Sequence, residues 1–467
     1  MALTFRLALI SLIVLLSVPA LARDVPASLR ALAKKGLHVG AAFVVDGQPV
    51  AHLNPDRMFN PASVAKLFTA AAALEVLGAD RTLETQVVAV GNGKSRKSLT
   101  IVGSGDPLLS GDDLRTLAGC VRKAGVQRVE RLVVDLGPFD SSALPPAYEQ
   151  KSTEAPYRAG IGGLQVDRNR IVVEVFPGKR GKPPRVTVSP KSDYTRVHNT
   201  AVTSRKKKGR RKGLSVTTRV VGDGRLEVRV KGTASRKRSE VVARRVPHPA
   251  RHAGHVFKRA LRDTGVKVGK GPAVGGAPVS AEVLCSHQSS PLSQLLLPLL
   301  KDSQNQVAES LLRLVGAEGA DQPVGFEAGP RVMKTFLQKN VGLKTGSFNF
   351  RNGSGLYDAN RVSIRAVVNL LRYVRGSADQ KPLIEALPVA GRDGTLKRRM
   401  VKGPLAGRVR AKTGTLDKAV TLAGFMDLPD GRTLVFAVMV GGKKVNASAV
   451  RRATDKALLE VYGWFAK

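Results

Sequence analysis

Cysteine is almost absent from the 467 residues: only Cys120 and Cys285 occur, and no Cys-x-x-Cys pair exists. That excludes a disulfide-built scaffold and a thiolate metal site. Two separate buried thiols are the expectation for this pair, with a disulfide as the alternative. Aromatic residues make up 4% of the chain, with a single Trp. The platforms on which nucleic-acid bases stack are therefore missing, and nucleic acid is disfavoured as a partner. Acidic residues are also scarce, 36 against 76 Lys and Arg, for a net charge of +40. A field of that sign favours polyanions: nucleic acid, anionic lipid headgroups or acidic cell-wall polymers.

What is present narrows the choice. The N-terminus reads MALTFRLALISLIVLLSVPALA, one Arg, an apolar core and a small-x-small ending. This pattern predicts a secretory signal over 1–22, cut after Ala22, with a short membrane anchor as the alternative. No later run is long and apolar enough to span a bilayer. The reading is export to a periplasm or cell envelope, where nucleic acid is not the usual partner. The run SRKKKGRRKG at 204–213 carries seven basic residues, and removing them still leaves +33. It reads as a solvated loop, or as a tether to anionic envelope polymers or lipids.

At 43% apolar residues the chain should fold, and its length suits two or three domains. GLHVGAAFVVDGQPVAHLNPDR predicts two strands around Asp46-Gly47. FNPASVAKLFTAAAALEVLG predicts a buried helix, opened by Pro61 and Ser63 and closed by Gly78. From about residue 80 the texture turns to short strands, interrupted by the helix GDDLRTLAGCVRKAGV. The most basic loops, GKRGKPPR, SRKKKGRRKG and SRKRS, fall between 167 and 239. Helices return after Pro249, and three strands and a final helix close the chain. The expected architecture is α/β (α+β), one catalytic domain over 23–79 and 268–467. A mostly β insert over 80–166 and 240–267 splits it, and a basic β module over 167–239 is nested in that insert.

Three short motifs occur in order: Ser63-Val64-Ala65-Lys66, Ser303-Gln304-Asn305 and Lys412-Thr413-Gly414. Ser63 and Lys66, three residues apart at a helix start, share one face. A serine hydroxyl attacks only when a neighbouring base takes its proton. A lysine becomes that base when burial and a nearby cation lower its pKa, and Lys412 is placed to be the cation. Each motif alone has an ordinary explanation as a helix start, a polar turn or a strand end. Their shared order, on a helix, a helix junction and a late strand, is what points to acyl transfer.

With NPASVAKLFTAAAALEVLG, GSGDPLL, APYRAGIGGLQVDRN, NGSGLYDANRVS, LPVAGRDGTLKRRM and VRAKTGT, these motifs make the chain resemble one particular family. It is the D-alanyl-D-alanine carboxypeptidase/endopeptidase family of low-molecular-mass penicillin-binding proteins, in the branch with a large insert. The 240 residues between Ser63 and Ser303 fit that branch. The resemblance implies a β-lactamase/transpeptidase-like fold, peptidoglycan stem peptides as substrates and β-lactams as inhibitors, with no metal or organic cofactor. It further implies Ser63 as nucleophile, Lys66 as its base and Ser303 as the proton relay to the leaving amine. Asn305 would hold Lys66 and the substrate backbone, and Lys412, Thr413 and Gly414 would form the wall that binds the terminal carboxylate. The N–H groups of Ser63 and Thr415 would form the oxyanion hole.

Asp135, in LVVDLGPF, has two readings: a contact to the amine of a diaminopimelate side chain, or a strand-end aspartate. Two positions depart from the family pattern, Gln304 where Asp is usual and Asp358 where some relatives are basic. His248, His252 and His255 sit among basic residues with no clustered carboxylate, which predicts a solvated helix start and not a metal site. The rival functions are a catalytically weak relative that binds anionic envelope polymer and a β-lactamase-like hydrolase. The chain has no Glu-x-x-Leu-Asn loop of the kind that activates a deacylating water in class A β-lactamases.

Overall fold

The computed structural model describes residues 23–204 and 213–466. The expected signal segment 1–22 and the basic residues 205–212 lie outside them. Two cores of the catalytic part are separated by one antiparallel sheet. Its order is Val409–Leu416, Ala419–Asp427, Thr433–Gly441, His38–Val45 and Gln48–Leu53. The central strands are almost wholly apolar because both faces are covered. On one face Phe43, Phe436 and Val438 pack beneath the terminal helices Ala27–Lys34 and Ala447–Gly463. On the other, Ala42, Val44, Val435 and Ala437 join a helical core that includes Ala65–Leu77, Leu292–Leu300, Asn305–Ala317 and Ile364–Gly376. The expected hairpin is present, with Asp46 and Gly47 at φ of 50° and 80° across its two-residue turn.

A second five-stranded sheet lies in the insert, ordered Lys267–Val274, Arg128–Asp135, Ser95–Val102, Glu84–Val90 and Glu282–Gln288. Helices Gly111–Lys123 and Pro249–Asp263 cover it. The first starts from a capping box between Ser110 and Asp113. The expected return to the catalytic part at 268 therefore needs correcting. That position is inside a strand paired parallel with Arg128–Asp135, and the next strand also belongs to the insert. The chain rejoins the helical core at Leu292–Leu300. The nested module also runs further than 239, because Glu240–Arg245 pairs with Arg170–Phe176. Its own core gathers Ile171, Val173, Tyr194, Val216, Leu226 and Val228.

One expectation fails here and a second holds only in part. Cys120 and Cys285 form a disulfide, with Cα atoms 6.2 Å apart, joining the capped helix to the edge strand Glu282–Gln288. The partners are 165 residues apart, and only the folded insert brings them together. The histidine segment is solvated at its start, where His248 is exposed at the N-cap, but not further along. His252 is fully buried in the helix Pro249–Asp263, its ring 5.2 Å from that of Tyr194. Burial pushes it down to about 3, so it is held neutral.

Candidate active site

The nucleophile candidate sits on a turn of 3-10 helix, Ala62–Val64, that runs into the helix Ala65–Leu77. Ala62 precedes it at φ 47°, a left-handed conformation that a non-glycine residue holds only when its surroundings enforce it. They do so here: the Asn60 side chain accepts the Ala62 N–H at 2.9 Å, and Thr421 Oγ1 donates to the Pro61 carbonyl at 2.9 Å. Ser303, in the second motif, is left-handed too, at 58°. It lies at the junction of helices Leu292–Leu300 and Asn305–Ala317.

Lys66 Nζ donates to three acceptors: Ser63 Oγ at 3.1 Å, Asn305 Oδ1 at 2.8 Å and the Ser354 carbonyl at 2.7 Å. It has no solvent exposure. Burial lowers it to about 7, and the charge of Glu309 opposes the shift. Lys412, on the strand Val409–Leu416, is also fully buried and donates to Ser303 Oγ at 2.8 Å and to the Thr413 carbonyl at 2.9 Å. Burial first, and then the nearby Lys66, push Lys412 far below its usual range. Two buried ammonium groups side by side hold their protons weakly, which is the condition for one of them to act as a base at neutral pH.

Gly414 fits because it has no side chain. A Cβ there would lie 2.9 Å from both the Ser63 nitrogen and Ala62 Cβ, and against Thr421 Oγ1. The third motif thus passes directly along the serine turn. Thr413 Oγ1 donates to Thr395 Oγ1 at 2.8 Å, while Arg451 donates to Thr415 Oγ1 at 3.0 Å. A cleft of about 650 Å³ opens over Ser63, with Asn305, Tyr157, Tyr357 and Thr415 in its walls. Its mouth carries Lys151 of the insert paired with Asp417 at 2.7 Å, and Arg361 paired with Asp358 at 2.5 Å.

Ser63, Lys66, Ser303, Asn305, Lys412, Thr413, Gly414 and Thr415 are thus brought together. Asp135 is not: it does not line the cleft, and its carboxylate accepts the N–H groups of Gly137 at 2.8 Å and Ala277 at 2.6 Å. These contacts match the strand-end reading. Sequence reasoning missed Glu309, Ser354, Tyr148 and Tyr157. Glu309 left a signal, a carboxylate four residues after Asn305 within the apolar run AESLLRL.

A serine turn, a buried lysine pair and a glycine strand on one antiparallel sheet define a penicillin-binding, transpeptidase-like fold carrying additional domains. The chain matches the D-Ala-D-Ala carboxypeptidase 3 (S13) family over residues 25–461, and it belongs to that family. It is 34% identical to a D-alanyl-D-alanine carboxypeptidase of Actinomadura sp. (strain R39), over 95% of this chain and 85% of that one. With D-alanyl-D-alanine carboxypeptidase DacB of Haemophilus influenzae it shares 28% identity, over 87% and 86%. The crystal structure of penicillin-binding protein 4 (dacB) from H. influenzae superposes with a TM-score of 0.80 at 25% identity, covering 93% of this chain and 99% of the other.

Proposed function

We propose that the chain is an exported serine DD-peptidase that cleaves D-Ala-D-Ala ends of peptidoglycan stem peptides through an acyl-enzyme on Ser63. Ser63 Oγ attacks the carbonyl carbon between the two D-alanines, and its proton passes to neutral Lys66. Collapse of the tetrahedral adduct breaks the C–N bond, and Ser303 relays a proton to the departing amine. Water then cleaves the ester and regenerates the serine. Asn305 orients Lys66 and the substrate backbone. Lys412, Thr413 and Gly414 form the wall that receives the terminal carboxylate, and the N–H groups of Ser63 and Thr415 face the oxyanion. The observation that carries this reading is Lys66 Nζ, 3.1 Å from Ser63 Oγ and lowered by burial to about 7. The relative from H. influenzae has been solved with a β-lactam bound, which supports β-lactams as inhibitors of this chain.

Fluorescent penicillin tests the chemistry: the wild type should label covalently and Ser63→Ala should not. Labelling that survives Ser63→Ala would refute the assignment. Digestion of muropeptides then separates the two uses of the same step. Carboxypeptidase action releases terminal D-Ala, and endopeptidase action splits cross-linked dimers.

We also propose that the basic loops hold the protein to anionic envelope polymer or lipid. Between residues 167 and 246 the chain has 24 Lys and Arg against 6 Asp and Glu. Among the described residues Lys179, Arg180, Lys182, Arg236, Lys237 and Arg238 are exposed. Reversing Arg236, Lys237 and Arg238 to Glu should weaken sedimentation with envelope fragments at low salt and leave penicillin labelling intact. Unchanged sedimentation would refute the tether.

A further inference from the structure

The Ser63 chemistry leaves one fully buried carboxylate unexplained. Glu309 lies on the helix Asn305–Ala317, one turn beyond Asn305, and does not line the cleft. Its two oxygens accept the backbone N–H groups of Ser354 at 2.8 Å and Gly353 at 3.1 Å. Tyr148, a buried residue of the insert, donates to it at 3.4 Å and bonds Ser354 Oγ at 3.0 Å. The same short loop offers its Ser354 carbonyl to Lys66 at 2.7 Å and its Gly353 carbonyl to Thr69 at 2.8 Å. Three donors converging on one carboxylate favour its ionised form. Burial acts the other way and raises its pKa. Lys66 is the buried cation that interacts with it, and Tyr148 faces it from the insert with Tyr357 behind, ring centroids 6.0 Å apart.

We propose that Glu309 is a positioning residue for acylation, fixing through the Gly353–Ser354 loop the carbonyl that receives Lys66 and supplying the buried negative charge that acts on Lys66. The carboxylate keeps Lys66 a strong enough base to take the serine proton. Without it Lys66 loses that opposing charge and holds its proton less tightly. This inference rests on the Ser63 reading, because it concerns the base of that reaction.

The test is the pH dependence of the acylation rate, followed with fluorescent penicillin. For the wild type the rate should rise through a midpoint near the 7 set for Lys66. Glu309→Gln should move that midpoint down by about one unit, the low end for losing a neighbouring opposite charge. At pH 6 the variant then reaches roughly half of its own plateau where the wild type reaches about a tenth, a fivefold relative gain. Glu309→Asp, which retains the charge, should return the midpoint towards the wild type even with a lower plateau. A role confined to packing would lower the plateau and leave the midpoint in place, and that result overturns the proposal. If Glu309→Gln does not fold, Tyr148→Phe gives the same reading. It removes a hydrogen bond from both Glu309 and Ser354, and a smaller downward shift is expected. An unmoved midpoint there is equally fatal. A wild type that is never acylated refutes the Ser63 reading itself, and so the two failures are distinguishable.

Discussion

Replacing Gly414 by Ala adds one methyl group where the structure has no room for it. The new Cβ meets the Ser63 nitrogen and Ala62 Cβ, each at 2.9 Å, and Thr421 Oγ1 still closer. Thr421 cannot rotate away without losing its 2.9 Å bond to the Pro61 carbonyl, which itself helps hold the serine turn. Val409–Leu416 is an edge strand, so the clash is relieved most easily by the strand and the turn moving apart. Overpacking of this kind costs about 1–3 kcal/mol of stability. The kinetic cost is larger, since a displacement of about 1 Å between reacting groups lowers rates about a hundredfold. The second-order rate of acylation by penicillin should therefore fall at least about a hundredfold while a cooperative thermal transition persists. Gly119→Ala is the control: that glycine lies within a helix with nothing within 4 Å of the added carbon. It should leave acylation unchanged and raise stability by up to about 1 kcal/mol. Acylation by Gly414→Ala within about threefold of the wild type would refute the close approach of strand and turn.

Acid should destabilise the insert through His252. Its folded pKa of about 3 lies below the ordinary 6.5, so its contribution is complete above 6.5 and is lost as pH falls towards 3. Between pH 7.5 and 5 the loss is about 2 kcal/mol, and His252→Leu should flatten that part of the curve of thermal midpoint against pH. An equally steep curve for the variant would contradict it. Arg313→Met should destabilise strongly. The buried guanidinium is sandwiched between Phe139 and Phe326 and bonds the carbonyls of Ser142 and Val324 and the Asp140 carboxylate. Its loss should cost about 3 kcal/mol, the low end for breaking a buried pair because Asp140 is partly exposed. A change below about 1 kcal/mol in urea unfolding would refute that weight.

The catalytic part was legible wherever a local signal sets the structure. The Asp46-Gly47 hairpin, the Ser63 helix and the helix pair around Ser303 all follow from turn residues, caps and periodicity, as does the capped helix Gly111–Lys123 in the insert. Nonlocal pairing was not legible. Lys267–Val274, with two Gly and a Pro in eight residues, carries little strand signal of its own, and only its parallel register with Arg128–Asp135 assigns it to the insert. The Cys120–Cys285 bridge depends on the same packing. The helix Ala328–Lys339 was hidden by Gly329 and Pro330 in its first turn, and Ala27–Lys34 by its shortness. In the site, residue types that carry chemistry stood out in motifs. Ser354 did not, because its contribution to Lys66 is a backbone carbonyl, which no side-chain pattern announces.

One helix connects these layers, and its spacing shows how. Along Asn305–Ala317, Asn305 holds Lys66, Glu309 holds the Ser354 loop, Ser310 accepts from Gln165 at 2.9 Å, and Arg313 grips Asp140 and Ser142. Positions 305, 309 and 313 are successive turns of one face. Its first turn faces the lysine, and Arg313, two turns on, reaches Asp140 and Ser142 of the insert. The insert answers along it, since Tyr157 offers its carbonyl to Asn305 at 3.0 Å, Tyr148 reaches Glu309 and Asp140 pairs with Arg313. A rigid element that touches the base at one end and the insert along its length transmits small shifts without bending. Departures in how the insert docks should therefore register as changes in Lys66, and so in acylation, before they register in the sheet that carries Lys412.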